Sequence, residues 1–200
     1  MKHYWLVLAF SLCVAPTSSA QNAELKTLRQ EDQASRGVPA EGIGKITRTD
    51  NDRIRRVLEL LAKGAAQTPE DKFNAALVLQ HTGLKFCEKR MVGESPYNYL
   101  LAHFLARESF EAGYADARML VAATMDRYLA FTEGYQKYGT NFVFNQKTGK
   151  EELVPIDRNV PDSERARYGV PPLAELLKQF PEHSAPKKPD AKKKSGKTGK

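Results

Sequence analysis

Eight polar side chains stand where a helix of this chain, or the loop leaving it, would ordinarily carry apolar ones: Gln80, His81, His103, Asp126, Arg127, Gln136, Tyr138 and Thr140. Gln80 lies one turn after Ala76 and Leu77, and His81 four residues after Leu77, so both fall near a buried stripe. His103 shares a helix face with Tyr99, Ala106 and Phe110. Asp126 and Arg127 end an uncharged run, Met119 to Met125, that is apolar nearly all round and so expected to be deeply buried. Adjacent residues sit about 100° apart on a helix, so these two cannot pair with each other and must find other partners. Gln136, Tyr138 and Thr140 follow on the exit loop beside Gly139.

Two chemistries suit such a set. Converged on one cleft, two imidazoles, a carboxylate, a guanidinium and an amide can bind a polar ligand or run acid–base catalysis. Bonded to one another and to the loop backbone, the same groups would fix the loop against the fifth helix, because buried polar groups must be satisfied in any case. Neither a cofactor nor a metal is implied: there is no i,i+4 ligand pair, no cysteine pair and no HExxH, and Gly-x-Ser-x-Gly is also missing. Ser195-Gly196-Lys197-Thr198 resembles the end of a phosphate-binding loop. The first glycine of that motif falls on Ala191, and no strand precedes it, so a P-loop is excluded.

The elements that must position these residues follow from periodicity and punctuation. Ala23 to Arg36 reads as a polar helix anchored only by Leu25 and Leu28, and Gly37, Pro39, Gly42 and Gly44 break it. Asp50 or Asn51 is placed to cap a second helix with Ile54, Val57, Leu58 and Leu61 on its buried side and Asp52–Arg56 and Glu59–Lys63 as i,i+4 pairs. Thr68-Pro69-Glu70-Asp71 starts a third, which runs to Gly83. Residues 84–94 read as a charged connector. Ser95-Pro96 opens a fourth helix to about Ala112, and Gly113 turns the chain into a fifth, Asp116 to Phe131. Small residues beside large ones in this pair predict a tightly packed antiparallel hairpin. Phe142-Val143-Phe144 and Leu153-Val154-Pro155-Ile156 predict a β-hairpin, followed by a helical turn to Arg167 and a last helix, Leu173 to Phe180. The expected fold is mainly α: antiparallel helical hairpins packed as in helical repeats, with a small C-terminal β-hairpin near 141–156.

The ends of the chain carry the address. Lys2 and His3 precede an apolar run, Tyr4 to Val14, and Ser18-Ser19-Ala20 offers the small residues a signal peptidase reads. Residues 1–20 are therefore expected to be a secretory signal peptide, with the mature chain starting at Gln21 and exported to the periplasm or beyond. The run is too short to span a bilayer, and no transmembrane segment is expected after its removal. Cleavage leaves Cys87 alone, without an intramolecular disulfide, and expected as a half-buried small apolar side chain. The formal charge of +7 is misleading, because the last twenty residues hold seven Lys against Glu182 and Asp190. Residues 21–180 have 23 basic and 22 acidic side chains, a near-neutral surface that implies no nucleic-acid partner. The organisation expected is a signal (1–20), a polar helix and linker (21–45), a helical domain (46–180) and a disordered Lys-rich tail (181–200) with at most weak contact to anionic envelope polymers.

From about Asp50 to Lys178 the sequence resembles a family of bacterial domains of unknown function. The resemblance rests, in order, on Ala76–His81, Tyr99–Ala106, Ala122–Leu129, Gln136–Thr140, Arg165 and Gly169–Leu173. Asn141 stands where the family pattern has Gln, keeping the amide on a shorter arm. The resemblance implies that the eight polar residues belong to a shared pattern, and it brings no activity. The function expected is non-enzymatic binding or scaffolding in the cell envelope, with a polar ligand or an envelope protein as partner. The alternative is an exported hydrolase-like enzyme using His81 or His103 with Asp126 and Arg127.

Overall fold

A computed structural model describes residues 20–39, 42, 44, 46–87 and 90–182, without the side chains of 84–87 and 90–93. The expected signal and Lys-rich tail lie outside the described residues apart from Ala20, Pro181 and Glu182, and so does the side chain of Cys87. The fold is mainly helical, with adjacent helices packed antiparallel and a small two-stranded sheet near the C-terminus.

Helix α1 (Ala23–Ala34) is capped by Asn22, whose side chain accepts from Glu24 and Leu25 N–H at 3.0 Å each. The Asn22 N–H donates to Asp71 at 2.7 Å, and Asp71 also closes the capping box of α3 (Pro69–Gln80) with Thr68. One carboxylate thus starts α3 and pins the start of α1 beside it. Leu25 and Leu28 then lie fully buried between the helices.

Helix α2 (Asp50–Ala62) is capped by Thr49 in a box with Asp52, one residue earlier than the sequence suggests. The expected i,i+4 pairs are replaced. Asp52 pairs with Arg55 at 2.6 Å, while Arg56 reaches across to Glu24 of α1, its fork meeting both carboxylate oxygens at 2.7 and 2.9 Å. A two-point guanidinium–carboxylate pair outcompetes a single contact along one helix.

Residues 84–94 are not a featureless connector. Strands β1 (Leu84–Cys87) and β2 (Arg90–Gly93) pair antiparallel with Leu84 opposite Gly93, and Glu94 N–H donates to Gly83 O at 2.8 Å to close the base. Lys85, Glu88, Lys89 and Arg90 interrupt the apolar alternation and hide the strands from a pattern reading.

Helices α4 (Pro96–Glu111) and α5 (Ala117–Thr132) form the expected antiparallel hairpin, turning at Gly113 with φ 94°. Ala102 and Ala106 are fully buried, as are Ala117, Val121 and Ala122. Burial of the Met119–Met125 run is not complete: Met119 is 45% exposed.

Strands β3 (Phe142–Asn145) and β4 (Lys150–Leu153) pair with Phe142 opposite Leu153. The second strand lies earlier than expected because a tight turn, with Asn145 accepting from Lys147 N–H and Gly149 at φ 68°, shortens the loop. Val154 to Ile156 instead tie back to the loop after α5, where Gln136 and Ile156 form an isolated bridge. Helices α6 (Asp162–Arg167) and α7 (Leu173–Gln179) close the fold where the sequence places them. Among the described residues no helix is long and apolar enough to cross a membrane.

Candidate functional site

The last turn of α5 places Asp126 fully inside the protein, beneath the loop that follows. One carboxylate oxygen accepts the N–H groups of Lys137 and Tyr138, at 2.8 and 2.7 Å. The other accepts the N–H of Gly139, the N–H of Thr140 and the Thr140 hydroxyl, each at 2.8 Å. Four consecutive amides converge on one anion, a concave arrangement that a chain makes only by leaving ordinary dihedrals. Gly139 supplies the departure, with φ 108°. Burial pushes the Asp126 carboxyl up from its ordinary range, and the loop's donors pull against that shift. Every contact is a donor, so the loop is built around the ionised form.

Gln136, also fully buried, fastens the next segment. Its amide nitrogen donates to Asn141 O and Val154 O, both at 2.9 Å, and its oxygen accepts Asn141 N–H at 2.8 Å. The Tyr138 hydroxyl reaches Glu164 at 3.1 Å beside Lys137, 2.8 Å from the same oxygen. Burial pushes the Tyr138 phenol up to about 12, so it stays protonated and donates. Arg165, fully buried, donates to Tyr138 O at 3.2 Å, to Asp157 O at 2.8 Å and to Val160 O. Asp126, Gln136, Tyr138 and Thr140 therefore do gather, and what they bind is the protein's own loop.

The imidazoles lie elsewhere. His103 is 6% exposed between α4 and α5, its Nδ1 donating to Val121 O at 3.0 Å, so this neutral ring carries its proton on Nδ1. Burial holds its pKa below the ordinary 6.5. The unfolded chain then takes up a proton that the folded chain refuses, so stability is full above about pH 6.5 and falls as pH drops below it. Lowering pH from 7.5 to 5.5 is expected to cost up to about 1.4 kcal/mol through this ring. Denaturant melts of His103→Gln should lose that component of the pH difference, and an unchanged difference would refute it.

His81, at the C-terminal end of α3, places Nδ1 2.7 Å from Asp32 of α1. Asp32 is 1% exposed and also holds Arg36 at 2.9 Å and the Gln33 amide at 2.9 Å, with Arg53 Nε at 4.0 Å. Gln80 is buried, its amide nitrogen 3.4 Å from Ala123 O and its side-chain oxygen without a partner among the described residues. Its backbone carbonyl accepts from Arg127 Nη1 at 2.8 Å, and the guanidinium lies 6.0 Å from the centre of the Tyr99 ring.

Arg127, His81 and Arg36 meet at a cleft of about 660 Å³, within the usual range for small-molecule sites. Ala130 and Phe131 of α5 form one side of it, and Phe142, Val143, Phe144 and Val154 form the other. The loop clamped by Asp126 and Gln136 leads directly into that second wall, so the knot positions the cleft without lining it. Arg36 is balanced by Asp32 and by Asp50 at 3.0 Å, whereas Arg127 has no carboxylate within ion-pair distance among the described residues. Burial and the nearby Arg36 disfavour the charge on Arg127. No group of three His, Cys, Asp or Glu side chains among the described residues is placed to hold a metal ion.

Asp32, Arg36, Arg53 and the aromatic wall are the parts that sequence patterning missed, and Arg165 entered only through the resemblance. Arg53 was detectable, since it stands four residues before Val57 and seven before Leu60 on the buried stripe of α2. Asp32 and Arg36 carry the i,i+4 signature of a paired helix end. No family model, curated protein or solved structure matches this chain.

Proposed function

We propose that this chain is an exported, non-enzymatic binding domain of the bacterial cell envelope, holding a small ligand in the cleft between α3, α5 and the β3–β4 hairpin. The observation that carries the reading is Arg127, a largely buried cation at the edge of an apolar cleft and without a counter-ion among the described residues. An unpaired charge in such a place is costly unless something supplies the opposite sign. The other ionisable residues are spoken for: Asp126 by the loop, His103 by Val121, His81 by Asp32. Export rests on residues 1–20, and the resemblance over Asp50–Lys178 supports a bacterial source without naming an activity. The Lys-rich tail adds a loose, salt-sensitive attraction to anionic envelope polymers.

A second reading, an exported hydrolase, retains one supporting observation. His81 is oriented by a buried carboxylate at the cleft, as a general base would be. His103 and Asp126 have no part in it, being sealed from the cleft and from each other. Among the described cleft residues there is no serine or cysteine, so this reading requires His81 to activate water.

The neutral dye N-phenyl-1-naphthylamine provides a test of the cleft. Saturable binding at one site is expected, lost in Ala130→Phe, which fills the cleft from α5. Binding that is absent, or unaffected by that variant, contradicts the reading. Protein recovered from an envelope extract is expected to begin at Gln21, and an unprocessed cytoplasmic chain would contradict export.

A further inference from the structure

The cleft is one-sided in both its chemistries, and together they define a ligand. Its polar end holds the guanidiniums of Arg127 and Arg36, the His81 ring with Nδ1 turned to Asp32, the Thr82 hydroxyl, committed to Leu79 O and the Asn98 amide, and the Asn141 amide nitrogen, buried with no hydrogen-bond partner among the described residues. No Asp or Glu is among the described residues that line it. Its remaining walls are methyl groups and aromatic rings from α5 and from the β3–β4 hairpin.

Resting on the reading of the cleft as a binding site, we infer that its ligand is a single-chain amphipathic monoanion, an acyl chain ending in a carboxylate. The charge balance sets the monoanion. Arg36 and Arg53 are matched by Asp32 and Asp50, and Asp32 also holds His81 Nδ1, which leaves the one charge of Arg127 to be met. The guanidinium geometry selects a carboxylate. Nη1 of Arg127 is committed to Gln80 O, while Nε and Nη2 make no hydrogen bond among the described residues. Two parallel donors on one planar edge match the two oxygens of a carboxylate. The tail follows from the walls. Phe131 stands on one side and Phe142 on the other, with Phe144 65% exposed at the hairpin, where a chain too long for the cleft would run out along it. The unpartnered Asn141 amide adds a donor on the hairpin side.

The binding free energy divides accordingly. Each methylene taken from water raises affinity about two- to fourfold until the cleft is filled. The head group adds specificity rather than bulk affinity, because a desolvated guanidinium left facing a neutral hydroxyl gains little.

The experiment is displacement of N-phenyl-1-naphthylamine from the full chain by dodecanoate, dodecan-1-ol, dodecyl phosphate, acetate and inorganic phosphate. Dodecanoate is expected to displace the dye at least tenfold more tightly than dodecan-1-ol, with acetate and inorganic phosphate inert. In Arg127→Met, whose fold is checked by circular dichroism, the acid-over-alcohol preference should disappear while the alcohol binds as before. Arg127→Lys, which keeps the charge without the planar edge, should retain a reduced preference. Equal binding of acid and alcohol to the wild type overturns the inference but leaves the cleft a binding site. Tighter binding of dodecyl phosphate overturns the carboxylate, and failure of the dye itself to bind removes the cleft reading beneath it. A preference that survives in Arg127→Met also overturns the inference, since it would place the anion elsewhere.

Discussion

Asp126→Asn is expected to destabilise the protein by about 3–5 kcal/mol, a loss of about 6–20 °C in melting temperature for a chain of this size. The substitution changes no volume and keeps one acceptor oxygen. It turns the other position into an amide that points donors at donors. If the amide faces one way it meets the N–H groups of Lys137 and Tyr138, and if it flips it meets Gly139 N–H, Thr140 N–H and the Thr140 hydroxyl. Either choice strands buried polar groups in a place sealed from water, and each stranded group costs about 1–3 kcal/mol. Thermal melts by circular dichroism check this. A change under about 1 kcal/mol would show that the loop does not depend on the carboxylate.

Gly139→Ala should be the next most damaging, at about 2–4 kcal/mol, for two separable reasons. The residue holds φ 108°, where an L side chain is strained by about 1–3 kcal/mol. An added Cβ would also lie 2.6 Å from a methyl of Leu176 and 2.9 Å from one of Ile156. Those methyls belong to core residues only 4% and 7% exposed, so they have little room to swing away. The N–H of Gly139 must meanwhile keep its bond to Asp126, which prevents the backbone from relaxing to a commoner conformation. A Gly139→Ala variant that melts within about 2 °C of wild type would mean that the loop relaxes freely and is not held by the clamp.

Local signals in the sequence carried most of the helical frame. Thr68-Pro69-Glu70-Asp71 marks the start of α3 because a cap needs only residues within one turn of each other. The 100° between Asp126 and Arg127 correctly separates their tasks: one faces the loop, the other the cleft. What the spacing cannot give is the identity of partners far along the chain. His81 and Asp32 are 49 residues apart, and nothing local to either names the other. The convergence of both imidazoles with Asp126 does not form, because α4 carries His103 into its contact with α5 while α3 carries His81 toward α1. The β1–β2 hairpin was hidden by its charges, and the second strand of β3–β4 by a turn whose length the sequence leaves open.

Arg127, the immediate neighbour of the clamp, is the residue on which binding in the cleft depends. Its edge of the cleft is best tested by following backbone amide and Arg Nε–H resonances in a nitrogen-15 correlation spectrum while dodecanoate is added. Saturable shifts are expected at Arg127 Nε–H and at the amides of Thr82, Phe131 and Phe142 to Phe144, with the amides of Lys137 to Thr140 little changed. Shifts that miss those positions, or that grow without saturating over the whole surface, would contradict it.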